Sequence, residues 1–278
     1  MSGIRFSSSP REVKKFNTMA LREDFLMENL LEKGSLKAVY SMYDRMISIG
    51  VIPTLSGVTL PPMETLTKSS FFLERREMGI INIGEKGEVI ADGTVYELEH
   101  KDCLYLGKGV REVTFKSLNS ANPAEYFICS SPAHHAYPAA KASKSDATQV
   151  ELGNKKNCNE RVIYQYIHEN GIQSCQLVMG VTSLMPGSTW NTFPPHTHLR
   201  RMEVYFYFEL EEDQIVMHFM GDPEETRHLV VRNKQGVISP EWSIHSGVGT
   251  TNYSFVWAMA GENKAFTDMD AADLSTFK

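Results

Sequence analysis

The sequence lacks the features that would place it outside the ordinary globular proteins. Cysteine is scarce: Cys103, Cys129, Cys158 and Cys175 stand far apart with no CxxC pair. That spacing argues against a disulfide scaffold and against a zinc knuckle, so reduced thiols are expected, and any metal has to be held by histidine and carboxylate. No run of Lys or Arg interrupts a chain with 28 basic and 34 acidic side chains and a net charge of −6, which excludes the electrostatic footprint of a nucleic-acid protein. The most apolar stretches, such as Met78–Ile83 and Phe255–Ala260, fall far short of the roughly 20 residues of a membrane span. The opening Met1-Ser-Gly-Ile-Arg-Phe-Ser-Ser-Ser is polar and unlike a secretory leader. A cytoplasmic protein is the expectation, and 42% apolar residues over 278 positions supply a sizeable core.

Helix signals are few. The first 17 residues read as a polar arm. Thr18 is expected to cap a short helix running to about Leu30, with Leu21, Phe25 and Leu26 on one side and Gly34 as its stop. After that, β-branched and aromatic runs alternate with Gly, Pro, Asn and Asp, the pattern of a sandwich or barrel. One block spans about Phe71 to Phe127 and includes an Asp92-Gly93 hairpin signal; a second spans about Gln176 to Ala260. The expected division is an arm with a short helix (1–50), a first barrel (51–130), a connection rich in Ser, Pro, Ala and Lys (131–170) and a second barrel (171–278). The blocks share local likeness. Arg75-Arg76-Glu77-Met78 parallels Arg200-Arg201-Met202-Glu203, and Gly107–Glu112 takes the place of Pro240–His245, which suggests a duplication in which one half kept its histidines.

Those histidines carry the chemistry. His196-Thr-His198 follows Pro194-Pro195; the prolines favour an extended chain, in which side chains two apart project together. Glu203 lies five residues further on, an offset that needs a turn or bulge in Leu199-Arg200-Arg201 to bring it to the same side. It then shares a face with Tyr205 and Tyr207, while Met202, Val204, Phe206 and Phe208 cover the other. His245 lies in a Pro-bounded turn followed by small residues. Three imidazoles and a carboxylate suit a divalent first-row ion, used to polarise a carbonyl or hydroxyl oxygen or to acidify water. His218 and His228 read as structural, His100 and His168 as surface residues, and His134-His135 as part of the connection.

His196-Thr-His198, Glu203 and His245 resemble the metal set of the cupins. Phe72–Gly84, Leu104–Gly109, Trp190-Asn-Thr, His196–Phe208, Ile238–Thr250 and Gly261-Glu-Asn263 are together similar to the 5-dehydro-4-deoxy-D-glucuronate isomerase (4-deoxy-L-threo-5-hexosulose-uronate ketol-isomerase) family. A Trp at 242, where the general cupin motif has Gly, departs from the superfamily pattern. The resemblance implies a mainly β fold of two cupin-type barrels with a few short helices, a homohexamer, and one Zn2+ per subunit on His196, His198, Glu203 and His245. It also implies conversion of 4-deoxy-L-threo-5-hexosulose uronate into 3-deoxy-D-glycero-2,5-hexodiulosonate in pectin breakdown. A carbonyl moved from C1 to C2 passes through an enediolate; Tyr205, Tyr207 and a metal-bound hydroxide stay open as the base. A clamp for the substrate carboxylate is expected among Arg200, Arg201 and Arg227, with Tyr205 and Tyr207 as further substrate contacts. Two other readings share the same ligands or fold: a metal-dependent cupin dioxygenase, and a non-catalytic bicupin that binds sugar acids.

Overall fold

The computed structural model describes residues 3–278. β-strand dominates, and the strand order repeats. The first half holds a seven-stranded sheet in the order Gly3–Arg5, Ser35–Ser41, Ile47–Ile52, Tyr126–Pro132, Arg76–Asn82, Cys103–Leu106, Ala140–Ala142. A four-stranded sheet faces it, in the order Val58–Thr59, Val113–Ser117, Gly87–Ala91, Thr94–Leu98. In the second half the seven strands are Thr148–Leu152, Arg161–Ile167, Val178–Leu184, Ser254–Gly261, Arg201–Phe208, Gln235–Ser239 and Leu26–Met27. The four are Trp190–Asn191, Ser246–Gly249, Val216–Asp222 and Glu225–Val231. The Asp92-Gly93 turn forms as expected: both residues have positive φ (46° and 82°), the geometry of a tight hairpin, and they join Ala91 to Thr94.

Three expectations are corrected. The N-terminal helix is capped by Asn17, whose side chain accepts the Ala20 N–H at 2.9 Å, and it ends at Phe25. Leu26 and Met27 are drawn into extended pairing with Val237 and Gly236, so tertiary pairing overrides the helical pattern. The polar arm is folded: Gly3–Arg5 runs parallel to Val39–Ser41, and Val13 in the short helix Pro10–Val13 is buried. Residues 131–170 are not merely a connection, because they supply Ala140–Ala142 to the first large sheet and Thr148–Leu152 and Arg161–Ile167 to the second. The last strand of the second large sheet, Leu26–Met27, thus comes from the first half of the chain.

The large sheets pack back to back. Met202, Val204 and Phe206 on one and Ile81, Cys103 and Phe127 on the other share a core, with Phe127 and Phe206 stacked at 4.2 Å. Gly79 lets them approach: a Cβ there would lie 2.7 Å from Ile167 Cδ1 and Met179 Sδ. Glu77, wholly buried at this seam, accepts the N–H groups of Cys175, Gln176 and Leu177 and the hydroxyls of Tyr105 and Ser131. The first half therefore fixes the chain where it enters the strand Val178–Leu184 of the second half, using charge-assisted bonds.

Candidate metal centre

Alternation along Arg201–Phe208 turns Glu203, Tyr205 and Tyr207 into the second barrel and its partner residues toward the first, the asymmetry expected from the sequence. His196 and Thr197 form a short strand paired with Ala271 and Asp270 of the C-terminal segment. A tight turn follows, in which the Arg201 N–H reaches the His198 carbonyl at 3.2 Å, and this turn brings Glu203 round to the two imidazoles. His245 comes from the facing side, after a turn in which the Ser243 N–H bonds the Pro240 carbonyl at 3.0 Å.

The donor atoms converge. His198 Nε2 lies 3.1 Å and His245 Nε2 2.9 Å from Glu203 Oε2, and the Nε2 atoms of His196 and His245 are 3.1 Å apart. One donor atom from each of the four residues falls within 4.8 Å of the others, so the group could hold a metal ion. Ligands about 2.1 Å from a common ion stand roughly 3.0–3.4 Å from one another, which matches the observed spacings. His198 Nδ1–H donates to the Arg201 carbonyl at 2.9 Å, and the Ser239 hydroxyl stands 3.4 Å from His245 Nδ1. Such outer bonds leave Nε2 with its lone pair free and fix the plane of the ring.

Protonation fits the same task. Burial, with the neighbouring His245, pushes His196 down to about 3. Burial alone would raise Glu203, but the charge and hydrogen bonds of His245 and His198 hold it well below the usual carboxylate range. A neutral His196 and an ionised Glu203 are the states in which these two residues can bind a metal.

A cavity of about 260 Å³ opens beside the group and is bordered by two of its members, His196 and Glu203. Its floor is the inward face of the large sheet: Arg161, Ile163, Thr182, Phe255, Trp257, Met259, Glu203 and Tyr205, with Thr192, Phe193, His196, Phe266 and Met269 around the mouth. The Tyr205 and Thr192 hydroxyls are 2.8 Å apart, and burial raises the Tyr205 phenol well above its ordinary value, so it stays protonated. Tyr207 is not in the cavity wall; its hydroxyl meets His218 Nδ1 at 2.7 Å deeper in the barrel. His218 is fully buried, and that burial, with His245 nearby, pushes it down to about 3.

The arginines expected to hold the substrate are otherwise engaged. Arg200 pairs with Asp268 and Asp270, each at 2.7 Å. Arg201 borders the cavity, but its guanidinium donates to the carbonyls of Asn263, Ala265 and Asp268. Arg227 donates to the Phe16 carbonyl and so ties down the N-terminal arm. His168 is buried rather than on the surface, while His100, His134, His135 and His228 are exposed. Sequence reasoning missed Arg161, Thr182, Phe255 and Trp257. The signal for Arg161 was present, since Arg161-Val-Ile-Tyr-Gln-Tyr-Ile167 is an alternating β-branched and aromatic run, but it was assigned to the connection.

Two barrels of one topology, with three histidines and a glutamate gathered inside one of them, define a bicupin with a candidate metal site. The chain belongs to the KduI/IolB family, whose model matches residues 25–276. It is 54% identical to a 4-deoxy-L-threo-5-hexosulose-uronate ketol-isomerase of Oceanobacillus iheyensis, over 96% of each chain. Proteins of the same name from Halalkalibacterium halodurans and Lachnoclostridium phytofermentans are 53% and 50% identical, the first over 96% of each chain and the second over 99%. Among solved structures, an IolB-like protein from Salmonella typhimurium LT2 superposes with a TM-score of 0.71 at 14% identity, covering 89% of this chain and 96% of that one. A Bacillus subtilis oxalate decarboxylase variant gives 0.58 at 11% identity, over 86% of this chain and 77% of that one. At these identities the two structures support the fold alone. No helix among the described residues is long and apolar enough to cross a membrane.

Proposed function

We propose that this protein is a metal-dependent ketol-isomerase that converts 4-deoxy-L-threo-5-hexosulose uronate into 3-deoxy-D-glycero-2,5-hexodiulosonate, with one zinc ion per subunit. The observation that carries the reading is the three-imidazole, one-carboxylate set, two of whose members, His196 and Glu203, border a cavity of about 260 Å³. That volume lies just under the roughly 300–1,000 Å³ of drug-sized ligand pockets, a scale suited to a six-carbon sugar acid. Relatives at 50–54% identity bearing the isomerase name support the same substrate.

His196, His198, Glu203 and His245 would hold a divalent ion, which would supply Lewis-acid stabilisation of the negative charge developed on enolisation. The isomerisation also needs a base that takes the C2 proton and returns one to C1. Tyr205 Oη, protonated and in contact with Thr192, stands in the cavity wall, where it can donate a hydrogen bond to the substrate oxygen on which charge develops. Phe255, Trp257, Met259 and Phe266 line the space beside it with apolar surface, which shields the enediol from water. Tyr207, turned to His218, holds the inner wall and drops out as a direct substrate contact. A hexamer of the 31.4 kDa chain in the cytoplasm completes the reading, and light scattering on the purified protein checks the assembly.

The decisive experiment pairs elemental analysis of purified protein with proton NMR of the uronate in deuterated water under anaerobic conditions. One zinc per chain and deuterium appearing at C1 of the product are expected. Complete transfer of the C2 hydrogen to C1, persisting when turnover is slowed, would replace the enediol by a hydride shift, and a strict requirement for oxygen would move the protein to the dioxygenase class.

A further inference from the structure

The candidate metal ligands occupy only part of the cavity, and its floor ends in an unpaired cation. Arg161 starts the strand Arg161–Ile167, which lies three strands away from Arg201–Phe208 across the same sheet. Register places it along the floor. Ile163 pairs with Thr182, Thr182 with Phe255 and Phe255 with Tyr207. Arg161 lies two residues past that row and Glu203 four residues before it. The two side chains therefore line one cavity from opposite ends of its concave floor, with Tyr205 between them in the wall.

Arg161 also differs from the other enclosed arginines in how its donors are used. Arg201 spends its guanidinium on a series of backbone carbonyls, and Arg76 on Ser130 and the Arg45 carbonyl. Arg161 makes one hydrogen bond, from Nη1 to the Asn159 carbonyl at 2.8 Å. Among the described residues it pairs with no carboxylate, and the ionisable groups nearest it are the phenols of Tyr205 and Tyr253. Burial lowers its pKa, but a guanidinium starting so high keeps its charge. A half-buried cation with free donors, set among Ile163, Phe255 and Trp257, is a site for an anion: low-dielectric walls strengthen the attraction, and the planar fork matches a carboxylate.

We propose that Arg161 is the carboxylate-binding residue of this cavity, gripping the far end of an open-chain sugar acid whose carbonyl end reacts at the candidate metal centre. The inference rests on the isomerase reading for the identity of the ligand, but the anion site stands on the cavity itself. It would let the cavity discriminate uronates from neutral sugars, which the metal ligands alone do not do.

The test compares wild type with Arg161→Gln and Arg161→Lys, on the uronate and on its C6 carboxamide. Arg161→Gln should raise KM for the uronate about 10- to 100-fold, the weight of one charge-assisted contact, with kcat, metal content and Tm nearly unchanged. Wild type should discriminate against the carboxamide by a similar factor, Arg161→Gln should lose that discrimination, and Arg161→Lys should keep part of it. Unchanged KM with discrimination intact would overturn the proposal, as would a loss confined to kcat and bound metal. If Arg161→Gln does not fold, the lysine variant with the carboxamide comparison decides on the same criterion. If wild type does not turn over the uronate, the isomerase reading fails by itself. Arg161 is then judged by calorimetric binding of D-galacturonate, which should weaken at least about tenfold in Arg161→Gln and which, if unaltered, would overturn the anion site.

Discussion

The two barrels share a strand order and part company at the face turned inward. In the first, Met78 pairs with Ser130 and Leu106; in the second, Glu203 pairs with Met259 and Ser239 on the corresponding strands. Around Met78 the interior is hydrocarbon, with Ile80, Val89, Leu104, Phe115 and Ile128 all buried. Around Glu203 it is imidazole, phenol and hydroxyl. Glu112, at the place of His245, is exposed, and Arg75 donates to the carbonyls of Thr67 and Lys68 in its own loop. One scaffold thus serves as a solid core in one half and as a polar, ligand-bearing cavity in the other. The difference teaches that the sheet only sets positions and directions; a few inward residues decide whether the barrel fills itself or leaves room for chemistry. The filled barrel supports the open one through Glu77, which anchors residues 175–177 at the start of the second half.

The largest expected effect comes from making the second barrel more like the first. His245→Ala should abolish stoichiometric metal binding and lower kcat/KM by about three orders of magnitude, read by elemental analysis and by the isomerase assay; a variant with full metal and wild-type turnover would sink the proposed centre. The reverse exchange, Met78→Glu, puts a carboxylate into the first barrel with no imidazole to meet it. Denaturant unfolding should show a loss of about 3–5 kcal/mol, the cost of an uncompensated buried charge.

Acid should also separate the halves. His196 and His218, both in the second barrel, are pushed from 6.5 to about 3 by burial, so between those limits the unfolded chain binds more protons than the folded one. Stability of the metal-free protein is then fully present above about pH 6.5 and declines as pH falls toward 3. Denaturation series at several pH values check this, and probes in the second barrel should report the loss first. The smallest effect is expected at Arg200. Its side chain is paired at the surface with Asp268 and Asp270, where solvent screens the pair, so Arg200→Ala should leave Tm and the KM for the uronate nearly unchanged, in contrast to Arg161.

Much of this was legible along the chain. The alternation in Met202–Phe208 gave the two faces of the central strand, and the His-x-His spacing with a turn before Glu203 gave three of the four donors. Asp92-Gly93 announced its hairpin because only a few residue types tolerate two positive φ angles in succession. Less was legible where pairing is distant. Leu26 and Met27 look helical until Gln235–Ser239 offers them a free edge. Arg161 looks like a connection residue until Thr182 and Phe255 take their places beside its strand. Arg200 looks like an anion clamp until the C-terminal segment returns with Asp268 and Asp270.

By itself, then, the sequence determined what is local: which side chains can donate to a cation, which share a strand face, and which turns break the runs, since period and φ preference act over a few residues. The tertiary structure alone decided that His245 meets His196 across the barrel, that Leu26–Met27 finishes the second large sheet, and that Arg161 lines the cavity with no carboxylate paired to it among the described residues. Those outcomes depend on the register of strands distant along the chain, and register is set by packing the whole inward face at once.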